Sequence, residues 1–215
     1  MLSKPRGIIP SVSNYSSFLF PSKLPQALHS HLSLWILHIL VIMADFQSIA
    51  PRDHQAYMRF ALSLAEKSDP KPTNFRVGAV LVDEASNQIL STGYTLELPG
   101  NTHAEQCCFE KFSASKGVAA DDVGTVLPES TVLYTTIEPC NKRSIGNLPC
   151  TERILKTRSA AKGGIKTVYL GVKEPETFVG ENKGRAKLEE AGIECVHVTG
   201  FEKEILDVAT AGHPS

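Results

Sequence analysis

Two short stretches carry residue types that can do chemistry: His103-Ala104-Glu105, and Glu138-Pro139-Cys140 with Cys150 following. One imidazole and two thiolates can hold a zinc ion and leave its fourth position open, whereas structural zinc sites are closed by four protein ligands. An open position is the mark of a catalytic centre, where the metal brings a water to a nucleophilic state near neutral pH. Glu105 stands two residues past the His, placed to move protons without binding the metal. That role asks for a carboxyl pKa near the working pH. The residue types point to metal-assisted hydrolysis, with His103, Cys140 and Cys150 on zinc and Glu105 as proton carrier.

The spacing then dictates the backbone. Residues at i and i+2 point to different sides of a regular helix. His103 must therefore sit where the chain enters a helix, with Glu105 reaching back from the first turn, and the Pro99-Gly100-Asn101-Thr102 loop suits such a start. The helix is predicted over 103–116, with Gly117 stopping it. The β-branched run Thr131–Ile137 fits a central strand that delivers Glu138-Pro139-Cys140 at its end. A second helix opens at Cys150 and runs through Thr157; its N-terminus favours negative charge and predicts a lowered thiol pKa for Cys150. Nine residues, 141–149, separate the two cysteines and must form an excursion loop that returns Cys150 to the metal. The loop carries Lys142 and Arg143, which read either as contacts for an anionic substrate group or as a solvated basic turn. Cys107, Cys108 and Cys195 are expected to be buried, unreactive thiols, and His54 and His197 ordinary side chains.

The remaining elements follow from periodicity. Met58, Ala61, Leu62 and Ala65 recur at helical spacing, with Asp53 as N-cap and Pro70 and Pro72 as the stop. Residues 77–83 read as a buried strand, Ser86-Asn87 as a turn and 88–94 as its hairpin partner. Residues 117–130 read as loop. Late in the chain, strands over 166–172 and 193–198 alternate with helices over 182–191 and 202–209, which predicts parallel pairing beside an antiparallel hairpin.

Composition fits a soluble globular chain, with 42% hydrophobic and 21% charged residues. Residues 1–44 hold Lys4, Arg6 and Lys23 and no acid, leaving 19 basic and 23 acidic side chains in the remainder, a net of −4. A polyanionic partner asks for a basic footprint, so no nucleic-acid partner is expected. Five cysteines without a regular framework argue against a disulfide-stapled secreted module. Residues 1–43 are read as a leader or dispensable extension ahead of a functional domain over 44–215. Its apolar run, Leu32–Met43, is short of the roughly 20 residues that span a bilayer, so no stable membrane insertion is expected. The leader stays open between an extension before a start at Met43, an organelle transit peptide and a membrane-associated helix. The expected location is the cytoplasm, with organelle import as the alternative.

Thr73-Asn74-Phe75-Arg76-Val77-Gly78-Ala79-Val80, His103-Ala104-Glu105 and Glu138-Pro139-Cys140, taken together, resemble the cytidine deaminase superfamily. The long loop between the cysteines is similar to that of the riboflavin-pathway deaminases. The stretches 173–184 and 188–193 strengthen the likeness, above all to the fungal-type deaminases of 2,5-diamino-6-ribitylamino-4(3H)-pyrimidinone 5′-phosphate. The resemblance covers residues 52–213. It implies an α/β fold with three layers, α/β/α, around a central mixed five-stranded sheet. It implies zinc (Zn2+) on His103, Cys140 and Cys150, and Glu105 as the catalytic proton shuttle. Asn74 would contact the substrate near its sugar, and Lys142, Arg143 and Lys183, or Arg185, would meet a phosphate. The implied reaction is hydrolytic deamination of a phosphorylated pyrimidine with release of ammonia, by a homodimer or larger homo-oligomer. Two alternatives stay open: another zinc deaminase of this superfamily acting on a nucleobase, nucleotide or tRNA, and a catalytically silent zinc domain that binds a partner.

Overall fold

The computed structural model describes residues 49–158, 163–174 and 183–214. The expected leader and its boundary at 43/44 lie outside the described residues.

The first helix, α1 (His54–Ala65), begins at Asp53, whose Oδ1 accepts the Ala56 N–H at 2.9 Å. That bond satisfies one of the amides a helix start leaves unpaired. Met58, Ala61, Leu62 and Ala65 form its buried face. The helix ends several residues before the prolines expected to stop it. Arg76 explains this: its guanidinium donates to the Glu66 carbonyl at 2.6 Å and the Ser68 carbonyl at 2.7 Å, taking acceptors that the helix end leaves open.

The hairpin β1 (Gly78–Asp83) and β2 (Gln88–Tyr94) turns through Asn87, which adopts a left-handed φ of 55°. Then come α2 (Ala104–Ser115), β3 (Thr131–Ile137), α3 (Cys150–Thr157), β4 (Thr167–Val172), α4 (Gly184–Glu190), β5 (Glu194–His197) and α5 (Glu202–Ala209). Residues 117–130, expected as loop, contain a 3-10 helix over Ala120–Thr125. Its polar composition concealed one apolar anchor, Val123, which packs in the core with Phe109 and Ile154.

The five strands form one sheet in the order β2-β1-β3-β4-β5. β1 pairs antiparallel with both β2 and β3, while β3, β4 and β5 run parallel. Strand alternation splits the core in two. Val80, Val82, Val132 and Tyr134 face α1 and α5, and Ala79, Leu81, Leu133 and Val168 face α2, α3 and α4. The result is the three-layer α/β arrangement expected from the sequence. Among the described residues, no helix is long and apolar enough to cross a membrane.

One close approach fixes where α2 starts. A Cβ on Gly93 would lie 2.1 Å from the Ala104 carbonyl oxygen, so only glycine lets β2 press against the first turn of α2. His103 and Glu105 are thereby set at the end of the sheet where β3 and β4 finish, the end at which ligands bind in open α/β sheets.

Candidate active site

His103 enters α2 as the spacing required. Its backbone is extended, with φ −95° and ψ 159°, and its carbonyl accepts the Cys107 N–H at 2.9 Å. Glu105 lies in the first turn and is only 3% exposed. Both line a cavity of about 220 Å³, together with Asn74, Cys140, Lys142, Arg143 and Glu174.

Cys140 follows β3, and Cys150 opens α3. The excursion between them closes through the backbone of α3: the Thr151 N–H and Oγ1 donate to the Cys140 carbonyl at 3.2 and 3.0 Å, and the Cys150 N–H points at Cys140 Sγ at 3.5 Å. His103 Nδ1 lies 3.5 Å from each sulfur. The three donor atoms fall within 4.8 Å of one another. Zinc bonds to nitrogen and sulfur imply donor separations of about 3.6 Å around a tetrahedral ion. The imidazole and two sulfurs therefore fit such an ion in kind and in spacing. Among the described residues these three form the one His, Cys and acid cluster with metal-ligand geometry.

The electrostatics are those of a site built for a cation. Burial, and then the charge of Cys140, push the Glu105 carboxyl up, partly opposed by the charge of His103. Thr135 Oγ1 stands 3.4 Å from Glu105 Oε1. Between the thiols, a hydrogen bond from Cys150 holds Cys140 down at about 4. Cys150 itself is pushed well up by that bond and by burial. The lowering expected for Cys150 at a helix start thus falls on Cys140: the hydrogen bond between the two thiols favours ionisation of one and holds the other protonated.

Residues 51–169 match the family described as the cytidine and deoxycytidylate deaminase zinc-binding region. The chain belongs to that family. The diaminohydroxyphosphoribosylamino-pyrimidine deaminase of Schizosaccharomyces pombe (strain 972 / ATCC 24843) is 39% identical over 164 residues, which are 76% of this chain and 36% of that protein. The chain thus spans about a third of the curated relative it matches. A crystal structure of Aspergillus oryzae Rib2 deaminase at pH 4.6, a C-terminal deletion mutant, is 53% identical with a TM-score of 0.69, covering 75% of this chain and 93% of that one. The same Aspergillus protein in complex with DARIPP, at pH 6.5, is 51% identical with a TM-score of 0.68, covering 74% and 91%.

The substrate-contact residues expected in this cytidine deaminase relative are placed unevenly. Asn74 lines the cavity and donates from Nδ2 to Asn101 Oδ1 at 2.9 Å. Lys142 and Arg143 line it too. Arg143 is already engaged, donating to Gln106 Oε1 at 2.8 Å and to the Asn101 carbonyl. Lys142 is exposed and makes no hydrogen bond or ion pair among the described residues. Lys183 precedes α4 and is not among the cavity-lining residues, and Arg185 turns to Glu189 and the Cys195 carbonyl. Cys107, Cys108 and Cys195 are buried, as expected, and burial pushes each thiol up. His54 accepts or donates at Tyr134 Oη, 2.8 Å away, and His197 meets the Gly171 carbonyl.

Sequence reasoning named Glu138 only as part of its motif and gave no role to it or to Glu174, two buried acids of the cavity wall. Glu138 Oε1 accepts the Arg185 N–H at 3.1 Å, tying α4 to the site. Glu174 had one signal to offer: it stands just past a strand expected to run parallel to the one that delivers Cys140.

Proposed function

We propose that this protein is a zinc-dependent hydrolase that deaminates 2,5-diamino-6-ribitylamino-4(3H)-pyrimidinone 5′-phosphate in riboflavin biosynthesis. One observation carries the reading: an imidazole and two sulfurs at ion-binding distance, with the buried carboxyl of Glu105 in the same cavity wall. Likeness to the Schizosaccharomyces and Aspergillus deaminases supports the choice of substrate.

His103 Nδ1, Cys140 Sγ and Cys150 Sγ would hold the zinc. Bound there, it supplies Lewis acidity, which brings the acidity of water toward neutral pH. Glu105 takes the proton from the water that attacks C2 of the ring. It passes that proton to ring N1 as C2 becomes tetrahedral. The second proton of the water reaches the 2-amino nitrogen through the same carboxyl. The C2–N bond then breaks, ammonia leaves and an oxo group remains. A carboxyl that burial holds above its ordinary range can keep a proton long enough to deliver it, which an exposed Glu does poorly at neutral pH. The burial of the α2 start holds that carboxyl in place. Asn74 meets the sugar-like chain at the rim, and Lys142, which carries an uncommitted ammonium group, meets the phosphate.

Incubation of the zinc-loaded protein with the ribitylamino and ribosylamino pyrimidine phosphates side by side, followed by ammonia release, tests the assignment. Faster release from the ribitylamino compound is expected. Release from neither compound, in a zinc-replete protein, refutes it.

A further inference from the structure

Glu174 is the second residue after β4 and is 9% exposed. Ile137 pairs with Val172 in parallel register, which carries Glu174 to the end of the sheet that holds Cys140, and both line the cavity. Its Oε2 is buried and has no hydrogen-bond partner among the described residues. Glu138, the neighbouring buried acid of this wall, accepts the Arg185 N–H, and neither its oxygens nor those of Glu105 are among the buried atoms without a partner. Leaving a buried polar oxygen unpaired costs on the order of 1–3 kcal/mol, and folded chains contain few such atoms. Burial, then the charges of Cys140, Glu105 and Glu138, push the Glu174 carboxyl up to about 8. Hydrogen bonds donated to its oxygens would relieve both conditions. The described residues donate none to Oε2, and the side chain lines the cavity.

We infer that Glu174 reads the substrate ring, accepting the adjacent N3–H and 2-amino donors of a 2-amino-4-oxopyrimidine and rejecting cytosine. The inference rests on the proposed function and adds a specificity-determining residue to it. A carboxylate presents two oxygens to two parallel N–H donors. In the 3H form of a 2-amino-4-oxopyrimidine, the amine on the reacting carbon has an N–H beside it, so the edge is donor–donor. In cytosine, turned so that its attacked C4=N3 bond meets Glu105, the other neighbour of the reacting carbon is C5–H, so the edge offers the amine alone and leaves one carboxylate oxygen unpaired. The two acids also divide the reacting carbon between them. N1, on the C2=N1 bond that is attacked, takes its proton from Glu105, which leaves the N3 flank for Glu174. A buried acceptor left without its donor discriminates strongly, because the wrong ring leaves it unpaired.

Binding separates this role from catalysis. In the Glu105→Gln protein, loaded with zinc, calorimetry measures the ribitylamino pyrimidine phosphate and cytidine 5′-phosphate as ligands. The first is expected to bind more tightly. Adding Glu174→Gln, whose amide presents one acceptor and one donor, should weaken it about 30-fold and leave cytidine 5′-phosphate unchanged or tighter, with zinc content intact. Equal weakening of both ligands, or no weakening of either, overturns the inference. Should Glu174→Gln lose zinc or unfold, Glu174→Asp, which keeps both oxygens, must retain the preference or the inference falls. Ammonia release by the otherwise unaltered enzyme keeps the two readings apart. If the protein deaminates the diaminopyrimidine while Glu174→Gln does so with undiminished selectivity, only the role of Glu174 is lost. If it deaminates cytidine 5′-phosphate instead, both are lost.

Discussion

The two ends of the sheet treat polar side chains in opposite ways. At the end where β3 and β4 begin, no buried side-chain oxygen or nitrogen of the described residues is without a partner. Asp83 accepts from Ser130 and Ser86, Tyr169 donates to Glu84 Oε1 at 3.2 Å, and Tyr57 donates to Asn87 Oδ1 at 3.1 Å. His54 and Tyr134 meet at 2.8 Å. At the end where those strands finish, three buried oxygens have no partner among the described residues: Ser68 Oγ, Asn141 Oδ1 and Glu174 Oε2. There too the Glu105 carboxyl and the Cys150 thiol are held above their ordinary values. Among the described residues the first end pairs its buried polar groups internally, and the second gathers the His, Cys and Cys cluster beside buried oxygens without partners. Of the residues carrying those three oxygens, Glu174 lines the cavity, and an unmet polar group there marks where something else binds, since folding alone gains nothing from it.

The contrast is tested hardest at Glu105. Glu105→Gln should lower turnover by about 10³-fold or more while zinc stays bound and the thermal midpoint holds or rises, because a neutral amide is easier to bury than a charge. Ammonia release, metal analysis and a melting curve on one preparation would show it. Near-normal turnover would remove the proton shuttle and with it the mechanism. Cys140→Ser comes next. A hydroxyl replaces one of the two sulfurs, so the purified protein should contain little zinc and show no deamination, as metal analysis would report. Retention of zinc at full stoichiometry would mean that the tripod is not the binding site.

A smaller effect is expected at the rim. Lys142→Ala should raise KM for the phosphorylated substrate by about 5- to 10-fold with kcat little changed, since an exposed cation contributes to binding a charge but not to the chemistry. The difference should shrink as salt is added. Equal loss for the phosphorylated and dephosphorylated compounds would move the phosphate elsewhere.

What the chain's letters reveal also differs between these regions. The floor of the site was legible because each of its residues announces itself locally. His103 sits before a helical pattern, Cys140 after a β-branched run, and Cys150 at a helix start; β3 and α3 have the predicted bounds. Fold class was legible for a similar reason, since alternating strands and helices leave few parallel arrangements. Glu174 was not, because its place depends on the register between Ile137 and Val172, 35 residues apart, which no local pattern encodes. Arg143 was legible only in part. It lines the cavity, as its charge suggested, but its hydrogen bonds to Gln106 and the Asn101 carbonyl were not, because those partners are brought near only by the return of the loop. The early end of α1 had the same origin, in Arg76 reaching back across the start of β1.

The smallest effect belongs to the satisfied end. Hydrogen bonds from Ser130 and then Ser86 hold the Asp83 carboxyl below its ordinary value. A carboxyl with a depressed folded pKa stabilises the protein above its unfolded pKa, and that contribution is lost as pH falls through the folded value. Asp83 is largely screened by solvent, so its share is about 0.5 kcal/mol or less. Asp83→Asn should therefore lower the denaturation midpoint slightly at pH 7, with the gap closing as the medium is brought below about pH 4, and it should leave kcat and zinc content untouched. Urea unfolding of both proteins at several pH values measures the gap. If Asp83→Asn instead reduced turnover, the two ends of the sheet would be coupled, and the division between a finished end and a reactive one would fail.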